Sequence, residues 1–210
     1  MIKTDNVTKK YGNIMVLKDI SISFEEGKTH GIVGRNGSGK TVFLKCLCGL
    51  IPVTSGSIQI NGKELGKDME VPLDTGIIIE EPGFLSNESG LTNLKMFASI
   101  RGKTTLAEIK KSLEMVGLNP RNRNKVGHYS MGMRQRLGIA QAIMESPSLL
   151  ILDEPMNGLD ENGVKEMRAL FNDLKGNGTT ILLATHNLED IQILCDFVYE
   201  MKDGVLKQKE

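Results

Sequence analysis

The chain has 210 residues, 40% of them hydrophobic and 25% charged, with 26 basic residues balanced by 26 acidic ones. This excludes a disordered or fibrous chain and suits one compact unit carrying an insertion. It also excludes a global field drawing the chain to nucleic acid, and without Trp a base-stacking surface is not expected. No apolar run approaches the roughly 18 residues of a membrane-spanning helix, and the first residues carry no signal-peptide core. Cys46, Cys48 and Cys195 are too few and too badly spaced for a zinc knuckle, so they read as reduced thiols of a cytosolic protein.

Residues 1–33 alternate apolar and polar, as in Ile20-Ser21-Ile22-Ser23-Phe24, which predicts antiparallel strand. Within them Thr29–Val33 is a short strand running into a glycine-rich loop. A helix over about 39–49 follows, closed by Gly49 and Pro52. Gly56–Gly62 reads as a strand ending in an Asn-Gly turn, and residues 76–80 as another ending in acid. From about Leu91 to Leu118 apolar residues recur at helical spacing, which predicts a helical insertion. Then come a helix (about 131–145), a strand (149–153), a helix (about 161–175), a strand (180–184) and a helix (about 187–194). Phe197–Lys207 forms a hairpin turning at Asp203-Gly204. Strands alternating with helices imply a mainly parallel core sheet, so the predicted fold is α/β.

Gly34-Arg35-Asn36-Gly37-Ser38-Gly39-Lys40-Thr41 matches G-x-x-x-x-G-K-[ST] at every fixed position, between a strand and a helix. Backbone N–H groups of such a P-loop curl around phosphate oxygens, and the helix behind adds the positive end of its dipole. Lys40 is expected to contact the β- and γ-phosphates, and Thr41 to bind Mg²⁺. A glycine-rich turn that binds nothing is the alternative, disfavoured by the full match. Leu149–Leu152 is an apolar run ending in Asp153 and Glu154. Ligands sit beyond the carboxyl ends of parallel strands. Asp153 is thus placed for the magnesium shell and Glu154 to polarise an attacking water.

Further segments carry a family resemblance. Tyr129-Ser130-Met131-Gly132-Met133 resembles the ABC ATPase signature, commonly Leu-Ser-Gly-Gly-Gln; Asn157-Gly158-Leu159-Asp160 resembles its D-loop. Thr185-His186 resembles the switch histidine, and Tyr11 in Lys10-Tyr11-Gly12 the adenine-stacking aromatic. The features run in family order over about residues 2–207, so the chain resembles the ATP-binding subunit of an ABC transporter. Met131, Met133 and Glu80, the last at the usual Q-loop glutamine, depart from the common pattern. They resemble the bacterial subgroup tied to bacitracin and lantibiotic self-protection and export; drift within another exporter branch is the alternative.

The resemblance implies a P-loop NTPase fold with an N-terminal antiparallel β-subdomain. It divides into a nucleotide-binding core over 1–83 and 131–210 and a helical subdomain over 84–130. It implies ATP and Mg²⁺ as ligands and a head-to-tail dimer with a second cassette, a copy or a relative. In that dimer Ser130 and Gly132 of one subunit face the γ-phosphate on the other's Lys40, and Asp160 reaches across. Ser130 suits a helix N-cap, but Met133 leaves the capping box incomplete and N-terminal donors free for an anion; plain self-capping is the alternative. His186 would bond the γ-phosphate, Glu80 would touch magnesium or water, and Tyr11, Val16 and Val42 would complete the nucleotide pocket. Tyr11 reads equally as an ordinary strand-end residue, and Glu80 as a solvated loop acid. The membrane part would be separate permease subunits received by a groove near Phe84 and Leu85, unless those two are simply core. The chain itself would be cytoplasmic and peripheral on the membrane's cytoplasmic face. Residues 101–125 hold seven basic residues against two acidic, which reads as a solvated helical face. Rival readings are a soluble repair or translation ATPase, a P-loop kinase and a degenerate regulatory module. The lack of coiled-coil or zinc insertions, the D-loop and the intact Lys40, Asp153, Glu154 and His186 count against them.

Overall fold

A computed structural model of the chain describes residues 1–80 and 83–209; Glu81 and Pro82, inside the Ile79–Phe84 segment, and Glu210 lie outside the described residues. Two sheets organise the chain. The first has the order β2-β1-β4-β5, from β1 (Ile2–Tyr11), β2 (Ile14–Phe24), β4 (Ser55–Ile60) and β5 (Lys63–Glu64), all antiparallel. The second has the order β10-β9-β3-β8-β7-β6. Its members β9 (Phe197–Lys202), β3 (Thr29–Val33), β8 (Thr180–Ala184), β7 (Leu149–Asp153) and β6 (Thr75–Ile78) run parallel, and β10 (Val205–Gln208) lies antiparallel on β9. The antiparallel expectation for residues 1–33 therefore fails at β3. That strand is buried along nearly its whole length instead of alternating, as a strand covered on both faces must be.

The two faces of the parallel sheet belong to two cores. Leu149, Ile151, Leu182 and Ala184 join Phe43, Leu44 and Leu47 of α1 (Lys40–Leu47) and the inner face of the antiparallel sheet. Leu150, Leu152, Ile181 and Leu183 point the other way, toward α2 (Gly90–Arg101), α3 (Leu106–Met115), α4 (Met131–Ile143) and α5 (Glu161–Gly176). This follows from the two-residue period of a strand. Each such leucine, isoleucine or phenylalanine contributes about 1.5–3 kcal/mol by leaving water. α6 (Leu188–Leu194) follows β8. Among the described residues no helix is long and apolar enough to cross a membrane.

The helical insertion expected over about Leu91–Leu118 consists of two helices. Gly102 closes α2 at φ 65, and Thr105 with Glu108 forms a complete capping box that opens α3. Cys46 and Cys48 are buried in the first core, and burial pushes their thiols up to about 11 and about 12. Cys195 is likewise pushed up to about 12, so all three are poor nucleophiles near neutrality.

His30 is buried beside Phe24 and Phe197. Its Nε2 lies 2.9 Å from the Glu25 carbonyl, which can only accept, so Nε2 carries the proton and Nδ1 accepts from the Tyr199 hydroxyl at 3.2 Å. Burial holds its pKa below the usual 6.5, outweighing the opposing pull of the Glu25 carbonyl and carboxylate. The unfolded chain then binds a proton that the native chain refuses. Stability is therefore full above about pH 6.5 and falls at lower pH, by at most about 1.4 kcal/mol per pH unit. Urea midpoints measured between pH 7.5 and 5.5 are expected to decline, and to decline less in His30→Gln.

Candidate nucleotide site

The carboxyl ends of β3, β7 and β8 lie side by side, and the chain leaves each through a polar segment. After β3 the loop Gly34–Gly39 opens α1. Two of its glycines are needed for space: a Cβ on Gly34 would sit 2.4 Å from the Met201 carbonyl oxygen. Gly39, the N-cap, has φ 113 and would place a Cβ 3.2 Å from the Val16 carbonyl. Lys40 is buried and folds back to donate to the carbonyls of Gly34 (2.7 Å) and Arg35 (3.3 Å). Thr41 Oγ1 donates to Asp153 Oδ2 at 2.5 Å, across from β7.

Glu154 follows in a left-handed conformation (φ 48), its N–H bonded to the Ala184 carbonyl at 2.8 Å, which stitches the ends of β7 and β8. His186 Nδ1 lies 2.8 Å from Glu154 Oε1. The carboxylate only accepts, so Nδ1 donates. A cavity of about 530 Å³ lies over the loop and the strand ends, bounded by Val16, Asn36, Gly37, Gly39, Lys40, Thr41, Val42, Glu80, Asp153 and Glu154, with Met131, Gln135 and Asn157; His186 reaches it only through Glu154 and does not itself line it. Gly34, Arg35 and Ser38 line a second hollow on the loop's far side, against Glu200–Asp203. Tyr11 is half exposed at the end of β1, with Lys9 Nζ 5.0 Å above its ring, and does not line the main cavity.

The residues fit a phosphate and a hard cation. Ser38 Oγ is buried and has no hydrogen-bond partner among the described residues, a polar group left over in the Gly34–Gly39 loop. Burial raises the Asp153 pKa, with Glu154 and Glu80 adding to it against the Thr41 hydrogen bond and the Lys40 charge. A cation would relieve that cost. Among the described residues no group of three or more His, Cys, Asp or Glu is arranged for a metal. One hydroxyl and one carboxylate suit Mg²⁺, which takes its other ligands from phosphates and water.

Ser130 caps α4, its Oγ accepting from the Met133 N–H at 3.2 Å, so its own O–H can still donate. Asp160 caps α5 through the Gly163 N–H at 2.9 Å. Both line, with Gly132, a separate hollow next to the main cavity; Met131 borders the two. A Cβ on Gly132 would meet the Gly158 carbonyl at 2.9 Å, so the start of α4 and the Asn157–Asp160 turn are in close contact. Lys40 and Ser130 of one chain thus face different hollows.

The family model for ABC transporters matches residues 17–157, two thirds of the sequence. The chain belongs to the ABC transporter family. It is 44% identical, over its full length and 96% of the relative's, to an uncharacterised ABC transporter ATP-binding protein, YybJ of Bacillus subtilis. It is 41% identical to the bacitracin transport ATP-binding protein BcrA of Enterococcus faecalis, covering 68% of that protein. It is 38% identical to the lantibiotic transport ATP-binding protein SrtF of Streptococcus pyogenes, covering 91%. A dimeric post-hydrolysis structure of the ATP-binding cassette MJ0796 with ADP and Pi shares the fold. Its TM-score is 0.89 over 100% of this chain and 98% of that one, at 23% identity. An ATP-binding subunit of an ABC transporter also has TM-score 0.89, at 27% identity over 100% of this chain and 89% of that one.

Several contacts of this ABC cassette have no counterpart in local sequence pattern. Glu80, at φ 62, pairs with Lys45 of α1 at 2.7 Å while still lining the cavity. Gln135, two positions beyond the usual signature glutamine, reaches the cavity and bonds the Pro155 carbonyl at 2.8 Å. Phe84 stands edge-on to Phe97 at 6.1 Å, both partly buried against the second core, whereas Leu85 is exposed.

Proposed function

We propose that this chain binds and hydrolyses ATP to power an ABC exporter through separate membrane subunits, on the cytoplasmic face of the membrane. The observation that carries the reading is the Glu154–His186 pair at 2.8 Å beside Lys40 and the Thr41–Asp153 contact. ATP enters with its phosphates over the Gly34–Gly39 loop. Lys40 exchanges its two loop carbonyls for β- and γ-phosphate oxygens. Thr41 and Asp153 would hold Mg²⁺, which offsets phosphate charge when bound. Glu154 accepts a proton from the attacking water. His186 keeps the Glu154 carboxylate oriented and borders the γ-phosphate. Val16 and Val42 bound the base and sugar end of the cavity, and Tyr11, outside it and half exposed, would stack on the base where it projects.

Since Ser130, Gly132 and Asp160 line a different hollow from Lys40, the reading requires a second cassette, opposed head to tail, to bring its own three to this triphosphate. The dimeric cassettes of the same fold support that arrangement. ATP then favours the closed pair because each nucleotide contacts both chains, and that difference in affinity moves the permease. The relatives named for bacitracin and lantibiotic transport support an antimicrobial peptide or similar small molecule as cargo. The test is purification from membranes with whatever permease accompanies the chain, followed by ATP turnover without any acceptor substrate. Turnover only in the presence of a phosphate acceptor, with no permease recovered, would reverse the reading.

Glu80→Gln isolates the acidic Q-loop position. Its ion pair with Lys45 is largely exposed and contributes at most about 1 kcal/mol, so melting is expected to stay within about 4 °C. ATP binding is expected to persist, while the ratio of transport to ATP consumed in the intact complex changes. An unchanged ratio would assign Glu80 no coupling role.

A further inference from the structure

The His186 side chain is two-thirds exposed, so packing among the described residues does little to fix the ring. Its position depends on the backbone on either side, and that backbone is tied to a buried ionic cluster. Thr185 N–H bonds the Ile32 carbonyl at 3.2 Å, and Thr185 Oγ1 accepts from the Asn187 N–H at 3.1 Å. The same hydroxyl donates to Asp190 Oδ2 at 3.4 Å. Asp190, in the first turn of α6, is 1% exposed. Its other oxygen, Oδ1, takes two bonds from Arg168 of α5, from Nε at 2.8 Å and Nη2 at 2.6 Å. Arg168 is itself buried and reaches Glu189 at 3.0 Å.

A buried ion pair is expensive in desolvation, and apolar residues of similar size often hold two helices together equally well. What an apolar pair cannot do is accept the Thr185 proton. The two Asp190 oxygens divide their partners, one meeting the guanidinium and the other fixing the hydroxyl that turns the chain around His186.

We infer that Arg168 and Asp190 are positioning residues for hydrolysis: through Thr185 they brace the backbone on both sides of His186 and so keep its imidazole on Glu154. This rests on the proposed roles of Glu154 and His186. Neither Arg168 nor Asp190 lines the nucleotide cavity, so the brace acts on turnover and not on nucleotide affinity.

The experiment uses the full chain in complex with its permease and reads kcat, KM for ATP, affinity for a fluorescent ATP analogue, and melting. Thr185→Val keeps shape and burial but removes the bridging hydroxyl. It is expected to lower kcat about tenfold or more, with analogue affinity within about twofold. Arg168→Met with Asp190→Leu is expected to melt near wild type and to show the same loss of kcat. His186→Ala is expected to be slow. Adding Thr185→Val to it should cost nothing more, because both changes act through one ring. Wild-type kcat in Thr185→Val overturns the brace, as does a loss that multiplies fully onto His186→Ala or appears as weaker analogue binding. If the apolar double variant fails to fold, Thr185→Val and its combination with His186→Ala decide alone. Wild-type turnover in His186→Ala would instead overturn the role proposed for His186, a result separable from failure of the brace.

Discussion

Glu154→Gln is expected to lower ATP turnover by about 10²–10⁴-fold while leaving Mg-ATP binding intact. The substitution keeps the carbonyl oxygen that accepts from His186 Nδ1 and the N–H that bonds Ala184. It removes only basicity, so the site remains assembled around a nucleotide it cannot consume. Two cassettes closed on ATP should then stay closed. Sedimentation at saturating Mg-ATP is expected to show a dimer, most clearly with the membrane subunits present. A monomer under those conditions, together with wild-type turnover, would contradict both the role of Glu154 and the shared site.

Gly76→Ala is expected to have the largest effect on stability. Gly76 lies in β6, where a Cβ would stand 2.0 Å from the Ala142 carbonyl oxygen of α4 and 2.7 Å from Leu150 Cδ2. The first of these is backbone inside a helix, so relief requires moving α4 away from the sheet. A cost of about 3 kcal/mol is expected, a fall in melting temperature of roughly 6–12 °C. Gly176, at the end of α5, has open space around its Cβ position and no positive φ. Gly176→Ala should therefore be neutral or gain about 0.5–1 kcal/mol. Thermal melts of the two variants give the comparison directly. Because α4 also carries Ser130 at its tip, Gly76→Ala is expected to disturb the signature end as well.

What could be read from the sequence was local. The loop before Lys40, the apolar run into Asp153 and Glu154, and the Asp203-Gly204 turn are each contained in a few consecutive residues, and each lies where the pattern put it. The break between α2 and α3 was hidden by apolar spacing that continues on both sides of it. The signals for it, Gly102 and the Thr105–Glu108 box, were short enough to be outweighed by periodicity. The sheet membership of β3 depends on having neighbours on both sides, β8 and β9, which come from the far end of the chain. The Lys45–Glu80 and Arg168–Asp190 pairs join residues 35 and 22 positions apart on different elements, so no spacing rule could expose them.

The doubled use of β7 and β8 sets a limit on how this chain can be trimmed. Leu94, Ile109, Leu113 and Val126 shield a surface that also contains Leu150, Leu152, Ile181 and Leu183. A shortened chain lacking residues 84–130 would bring part of that oily surface into contact with solvent, and sticking to other copies, rather than a tidy minimal ATPase, is the expected outcome. The helices between the two motifs are a wall of the building and not an awning hung on its side.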